Sequence, residues 1–167
     1  MLECNNDFDV FFVKHLDEIE AMDINQLELV LIHVTTNGND CTEIRKNGLL
    51  DLKRVLQEKA ERSMFLNDRG INFDIQSKVM HINGKTFDAD YEEYKNLYGS
   101  DEKAKVLYKI GHKIYYDYQV NGFCFADIYD YGTIHKAPEF LFTLSEFGQE
   151  TAGIDDGWEK ITKPYVV

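Results

Sequence analysis

His33 stands in the run Leu29-Val30-Leu31-Ile32-His33-Val34-Thr35-Thr36, the strongest signal for a buried strand in the chain. A buried apolar strand rarely ends in His-x-Thr without a use for the imidazole. Thr35 is two residues on, so in an extended chain it shares a face with His33. The turn residues Asn37, Gly38, Asn39 and Asp40 follow at once, then a helix-like stretch closed by Asn47-Gly48-Leu49. A polar pair at a strand end, followed by a loop and a helix, is a natural place to grip a ligand. Glu139 is the second such group, after Pro138 and ahead of Phe140-Leu141-Phe142. A carboxylate entering an apolar strand costs free energy unless something satisfies it. Aromatic candidates lie between the two: Tyr115, Tyr116, Tyr118, Phe123 and Phe125, and Asn121 marks a turn from which it could donate to a ligand.

These groups need elements to hold them. Apolar residues from Phe8 to Met22 recur at helical spacing, which predicts an N-terminal helical segment within residues 1–26. Leu27 to Thr36 reads as a strand buried on both faces. Thr42 to Lys46 reads as a short helix capped by Gly48, and Asp51 to Glu61 as a helix with Asp51 as N-cap. Met64 to Arg69 reads as a further short helix. Ile71–Ile75, Val79–Ile82 and Lys85–Phe87 read as a meander turning at Asn83-Gly84. Helices are expected over Tyr91–Tyr98 and Asp101–Tyr118, the second interrupted by Gly111, and strands over Phe123–Tyr129 and Glu139–Leu144. The tail over residues 150–167 reads as loop. The pattern is mixed α+β rather than repeating βαβ, in a single domain over residues 1–167.

Composition narrows the function. The formal net charge is −12, which argues against gripping a long duplex through its phosphates. It leaves room for a small anionic ligand held by a few donors, or for a basic protein partner. No apolar run reaches membrane-spanning length, and the acidic start at Met1-Leu2-Glu3-Cys4-Asn5-Asn6-Asp7 is unlike a signal peptide, so a cytoplasmic protein with no membrane partner is expected. Cys4, Cys41 and Cys124 are scattered and read as reduced thiols. Gly84-Lys85-Thr86 imitates the end of a phosphate-binding loop, but Val79 stands where that loop requires glycine. Asp88, Asp90, Glu92 and Glu93 lack the glycine of a calcium loop and read as a solvated acidic face. No zinc spacing is present, and no metal is expected.

His33-Val34-Thr35-Thr36, the downstream Ile44-Arg45-Lys46-Asn47-Gly48-Leu49 and the late Ala137-Pro138-Glu139-Phe140-Leu141 resemble ADP-ribosyltransferases of the His-Tyr-Glu type. That group holds the diphtheria-like toxins, the poly(ADP-ribose) polymerases and the DarT DNA-modifying toxins. The resemblance implies an α+β fold whose split, two-sheet mixed β core with flanking helices surrounds an NAD cleft. It implies that His33 hydrogen-bonds the adenosine-side ribose of NAD, supported by Thr35, while the backbone near Val34 holds the nicotinamide amide. An aromatic ring, with Tyr115 and Tyr116 as candidates and Tyr129 or Tyr131 as substitutes, would stack on the cationic nicotinamide. Glu139 would be the catalytic carboxylate, with Glu146 as a rival. Ala137 stands where transferases acting on arginine carry a second acidic or amide side chain. That leaves a nucleic-acid base, another side chain or a small molecule as acceptor.

The expectation is NAD-dependent transfer of ADP-ribose to a macromolecular acceptor, nucleic acid or protein, by a toxin or anti-phage effector with a possible protein antitoxin. Two other readings compete. One is a non-catalytic acidic protein that binds a basic partner or mimics nucleic acid. The other is a metal-free nuclease using His33 or His135 as base. For His33 alone, a core histidine satisfied by a backbone carbonyl is the plain alternative, and for Glu139 an exposed charge beside an edge proline.

Overall fold

A computed structural model describes residues 7–26, 28, 31–94, 101–122 and 134–167. Contacts divide the chain into two units, Met1–Val30 and Leu31–Val167. The strand expected over Phe123–Tyr129, together with Phe123, Phe125, Tyr129 and Tyr131, lies outside the described residues, as do Leu27, Leu29 and Val30.

The first unit carries α1 (Phe8–Lys14), α2 (Leu16–Glu20) and a short 3₁₀ turn at Ile24–Gln26. Asp7 starts α1 by accepting from the N–H groups of Asp9 and Val10 at 3.0 and 3.2 Å. The single helix expected from Phe8 to Met22 is instead broken at His15, whose φ of −112° leaves the helical region.

The second unit is α+β, with two small antiparallel sheets among the described residues. β1 (Val34–Asn37) pairs with β5 (Lys163–Val166), Val34 opposite Val166 and Asn37 opposite Lys163. The N–H groups of His33 and Val167 each donate to the other's carbonyl at 2.9 Å, which carries the pairing one residue further. This corrects two expectations. Leu31 is 45% exposed, so the run before His33 is not buried on both faces, and His33 stands at the entry of the strand rather than its end. Residues 150–167 are not loop: they form α9 (Ile154–Glu159) and β5. Pro164 speaks against a central strand, yet it is tolerated here, since among the described residues the sheet has two strands and each is an edge.

The meander forms as its alternation predicts, with β2 (Ile71–Asp74), β3 (Val79–Ile82) and β4 (Lys85–Asp88) in order. Asn83 and Gly84 turn it with φ of 50° and 79°, the left-handed pair a two-residue hairpin requires. Its apolar face, including Ile71, Met80 and Ile82, packs on the helices.

Helix α3 (Thr42–Asn47) ends at Gly48 as expected, with φ of 73°. Helix α4 (Leu52–Gln57) opens at Asp51, whose carboxylate accepts from the Arg54 N–H at 2.9 Å. It does not run on to Glu61. The chain leaves the helix at Glu58, and α5 (Glu61–Asn67) starts afresh, which turns Glu61 and Arg62 toward the β1 side. Of the segment expected over Tyr91–Tyr98, α6 (Tyr91–Tyr94) is helical and the remainder lies outside the described residues. Helix α7 (Glu102–Tyr115) passes through Gly111 without interruption. A Cβ there would collide with the Ala89 carbonyl and with Tyr91. Glycine therefore serves the close approach of the chain at Ala89–Tyr91 rather than a break.

Glu139–Leu144 is not a strand. It lies in α8 (Glu139–Ser145), with Phe140, Leu141, Thr143 and Leu144 buried. A short apolar run is read equally well as a buried strand or a buried helix, and packing decides. Here Pro138 sits just before the helix, where no helical N–H is missed. Phe140 lands 5.6 Å from Phe73 of the meander. No helix among the described residues is long and apolar enough to cross a membrane.

Candidate functional site

Strand β1 forms one wall of a cavity of about 290 Å³ in the second unit. His33, Val34, Thr35 and Thr36 line it, with Ile44 and Leu49 from the α3 end on one side. Pro138, Glu139 and Phe140, at the start of α8, line it too. The imidazole and the carboxylate singled out from the sequence thus share one cavity, although they come from a strand entry and a helix start.

His33 Nδ1 is 2.7 Å from the carbonyl oxygen of Asn121. A carbonyl only accepts, so Nδ1 carries the proton and donates it. In the neutral ring Nε2 then holds a lone pair, free to accept from a ligand hydroxyl. Asn121 lines the cavity beside it. Its described role is the backbone carbonyl that orients His33, where the sequence suggested a side-chain donor.

Glu139 is anchored by Lys113, whose Nζ donates to it at 2.8 Å and to Asp117 at 2.7 Å. Burial pulls the Lys113 ammonium down, but the two carboxylates outweigh it and raise its pKa. The Glu139 side chain remains 69% exposed, so the pair adds little stability; its effect is to aim the carboxylate. Glu139 also lines a neighbouring cavity of about 350 Å³ with Tyr108, His112 and Phe142. Glu146 faces only this second space and is paired with Lys109 at 2.8 Å.

Neither Tyr115 nor Tyr116 lines the main cavity. The Tyr115 hydroxyl is buried without a partner, and burial together with Asp90, Asp74 and Asp88 pushes its pKa up to about 12. Tyr116 is 65% exposed and packs on His112 with ring centroids 4.6 Å apart. Among the described residues, Tyr118 is the tyrosine that lines the cavity, with Lys53 Nζ 3.8 Å above its ring. His135 is exposed and does not line it, although its neighbour Ile134 does.

The far end of the cavity holds groups that sequence reasoning missed: Glu43, Glu61, Arg62 and Trp158. Both Glu61 oxygens accept from the Gly38 N–H at 3.0 Å, which ties α5 to the loop after β1. The Glu61 N–H donates to Glu43 at 3.0 Å. Trp158 is 1% exposed and its indole N–H donates to the Thr36 hydroxyl at 2.8 Å. Nothing local marks Glu43 and Glu61 as neighbours; only Trp158, the lone tryptophan, stood out by type.

Burial and the nearby Glu43 charge raise the Glu61 pKa, against the pull of the Gly38 N–H and Arg62. A carboxyl raised in the folded state binds more protons folded than unfolded. Its contribution is therefore greatest below the unfolded value and is lost as pH rises through the folded one. Glu61→Gln is expected to lose that part of the decline: its stability relative to wild type should rise from pH 4 to pH 7. Urea unfolding across that range measures it, and a difference independent of pH would refute the assignment.

No known protein family, curated protein or solved structure matches this chain. Among the described residues no cluster of His, Cys, Asp and Glu is arranged to hold a metal ion.

Proposed function

We propose that this chain cleaves NAD and transfers ADP-ribose to a macromolecular acceptor, nucleic acid or protein. The observation that carries the reading is that His33 and Glu139, distant in sequence, line one cavity. The support lies in the site, since Glu139 opens a helix where the resembled enzymes carry their glutamate on a strand.

In this reading His33 Nε2 accepts from a ribose hydroxyl while its Nδ1–H stays on Asn121. The bond from the ribose C1′ to the nicotinamide nitrogen breaks, and its electron pair leaves with neutral nicotinamide. Positive charge develops on the ribose, and the Glu139 carboxylate stabilises it as carboxylates do in glycoside hydrolysis. An acceptor nucleophile then bonds to C1′ and releases its proton to Glu139 or to water. The second cavity, reached by the same carboxylate, offers the acceptor its own approach. An effector role as a toxin or in phage defence would suit such an activity.

The test is release of nicotinamide from ring-labelled NAD by the purified protein, with and without nucleic acid and protein acceptors. His33→Ala is expected to raise KM about tenfold, the value of roughly one hydrogen bond. Release no faster than in buffer, under every acceptor condition, would remove the reading. The acidic balance of −12 favours a second reading, capture of a basic partner. Complexes weakening steeply with salt, with no NAD turnover, would select it.

A further inference from the structure

Arg62 lines the cavity, yet its Nε is sealed from solvent and has no hydrogen-bond partner. No carboxylate of the described residues lies within ion-pair distance of its guanidinium. Glu61, whose charge acts on Arg62, gives both oxygens to the Gly38 N–H. The guanidinium instead lies 5.8 Å from the Trp158 ring, which attracts it only weakly. Burial lowers its pKa to about 10, so it stays charged at neutral pH. A half-buried guanidinium with a sealed, unpaired N–H and no direct ion pair is costly, and a bound anion would complete it.

Among the described residues, the other Lys or Arg lining the cavity is already paired. Lys113 is held between Asp117 and Glu139. Among the described residues four carboxylates line the same space, Glu43, Glu61, Asp117 and Glu139, which leaves Arg62 as the place for an anionic ligand. The geometry points to Arg62 as the anion receptor of this cavity, taking a phosphate or diphosphate group of the ligand on its planar fork. For the identity of that anion, the diphosphate that joins the two halves of NAD, the inference rests on the transfer reading. The ligand would then lie in the cavity with its diphosphate at Arg62 and its two riboses at His33 and Glu139.

Calorimetric titration of the whole chain with inorganic pyrophosphate, ADP-ribose and 1-methylnicotinamide tests this. Wild type is expected to bind pyrophosphate and ADP-ribose, more weakly as salt rises. Arg62→Met keeps an apolar stem for Trp158 and should lose at least tenfold in affinity for both. Arg62→Lys keeps the charge without the fork and should lose a smaller factor. Binding of 1-methylnicotinamide should not change in either variant. Thermal melts check folding, and if Arg62→Met does not fold, Arg62→Lys and the salt dependence decide. Wild type that ignores pyrophosphate and ADP-ribose, or variants that bind them as wild type does, overturns the inference. The two readings fail separately. Arg62-dependent ADP-ribose binding without nicotinamide release keeps the anion receptor and ends the transferase. Nicotinamide release with an unchanged KM in Arg62→Met does the reverse.

Discussion

Nicotinamide release by the Glu139→Gln protein is expected to fall by roughly 10²–10³-fold, the usual cost of removing one preorganised group that meets charge developing in the transition state. The substitution keeps the size of the side chain and its place at the first residue of α8. It removes the negative charge that would face the ribose as its bond to nicotinamide lengthens. Lys113 keeps Asp117 at 2.7 Å, so the local ion pairing is thinned rather than abolished. Because Glu139 is mostly exposed, stability should change by less than about 1 kcal/mol. The loss should fall on kcat, with KM for NAD little changed, since the charge matters most when the oxocarbenium forms. Steady-state release assays on both proteins, alongside thermal melts, read these quantities together. Equal kcat values for wild type and Glu139→Gln would strip the carboxylate of its role.

Trp158→Ala is the second large effect, and it bears on the fold beneath the site. The indole is 1% exposed, meets Phe65 edge to face at 5.0 Å, and hydrogen-bonds Thr36 on β1. Truncating such a ring costs about 3–5 kcal/mol, through lost burial and the cavity left behind. The Thr36 hydroxyl, on a residue 3% exposed, also loses its donor. Against a typical total of about 5–15 kcal/mol this is a large share. For a chain of this size the midpoint of thermal unfolding should drop by on the order of 10 °C. Trp158→Phe keeps a ring for Phe65 but leaves Thr36 unpaired, and should cost about 1–3 kcal/mol. Circular dichroism melts distinguish them. A drop of only a degree or two in Trp158→Ala would show that α9 does not anchor β1.

Both variants touch segments that reading along the chain misassigned. Glu139 was legible as a candidate by residue type, a carboxylate beside an apolar run, and its element was not. Six residues of mostly apolar character satisfy the pattern of a buried strand and of a helix buried nearly all round. The choice between them depends on what surrounds the segment. The tail failed for a related reason. Gly153, Asp155, Asp156 and Gly157 look like loop by composition, but α9 gains its stability from Ile154 and Trp158 inserted in the core. β5 gains its own from hydrogen bonds to β1. Neither source lies within the segment that benefits. Tyr115 and Tyr116 show the converse: they were attractive by type, and the phase of α7 turns them away from the cavity.

What residue order alone determined is what depends on neighbours in the chain. The Asn83-Gly84 hairpin with its flanking alternation, the Asp51 cap, the Gly48 helix end and the turn after Asn37 are settled by backbone conformations and hydrogen bonds spanning a few residues. The α+β class follows from their sum. Tertiary structure alone decided the strand entry at His33, the helix under Glu139, the pairing of β1 with β5, and the meeting of Glu43, Glu61, Arg62 and Trp158. Each arises from contact between segments far apart in sequence. Burial, orphaned donors and shared cavities are properties of such contacts, and no local pattern carries them.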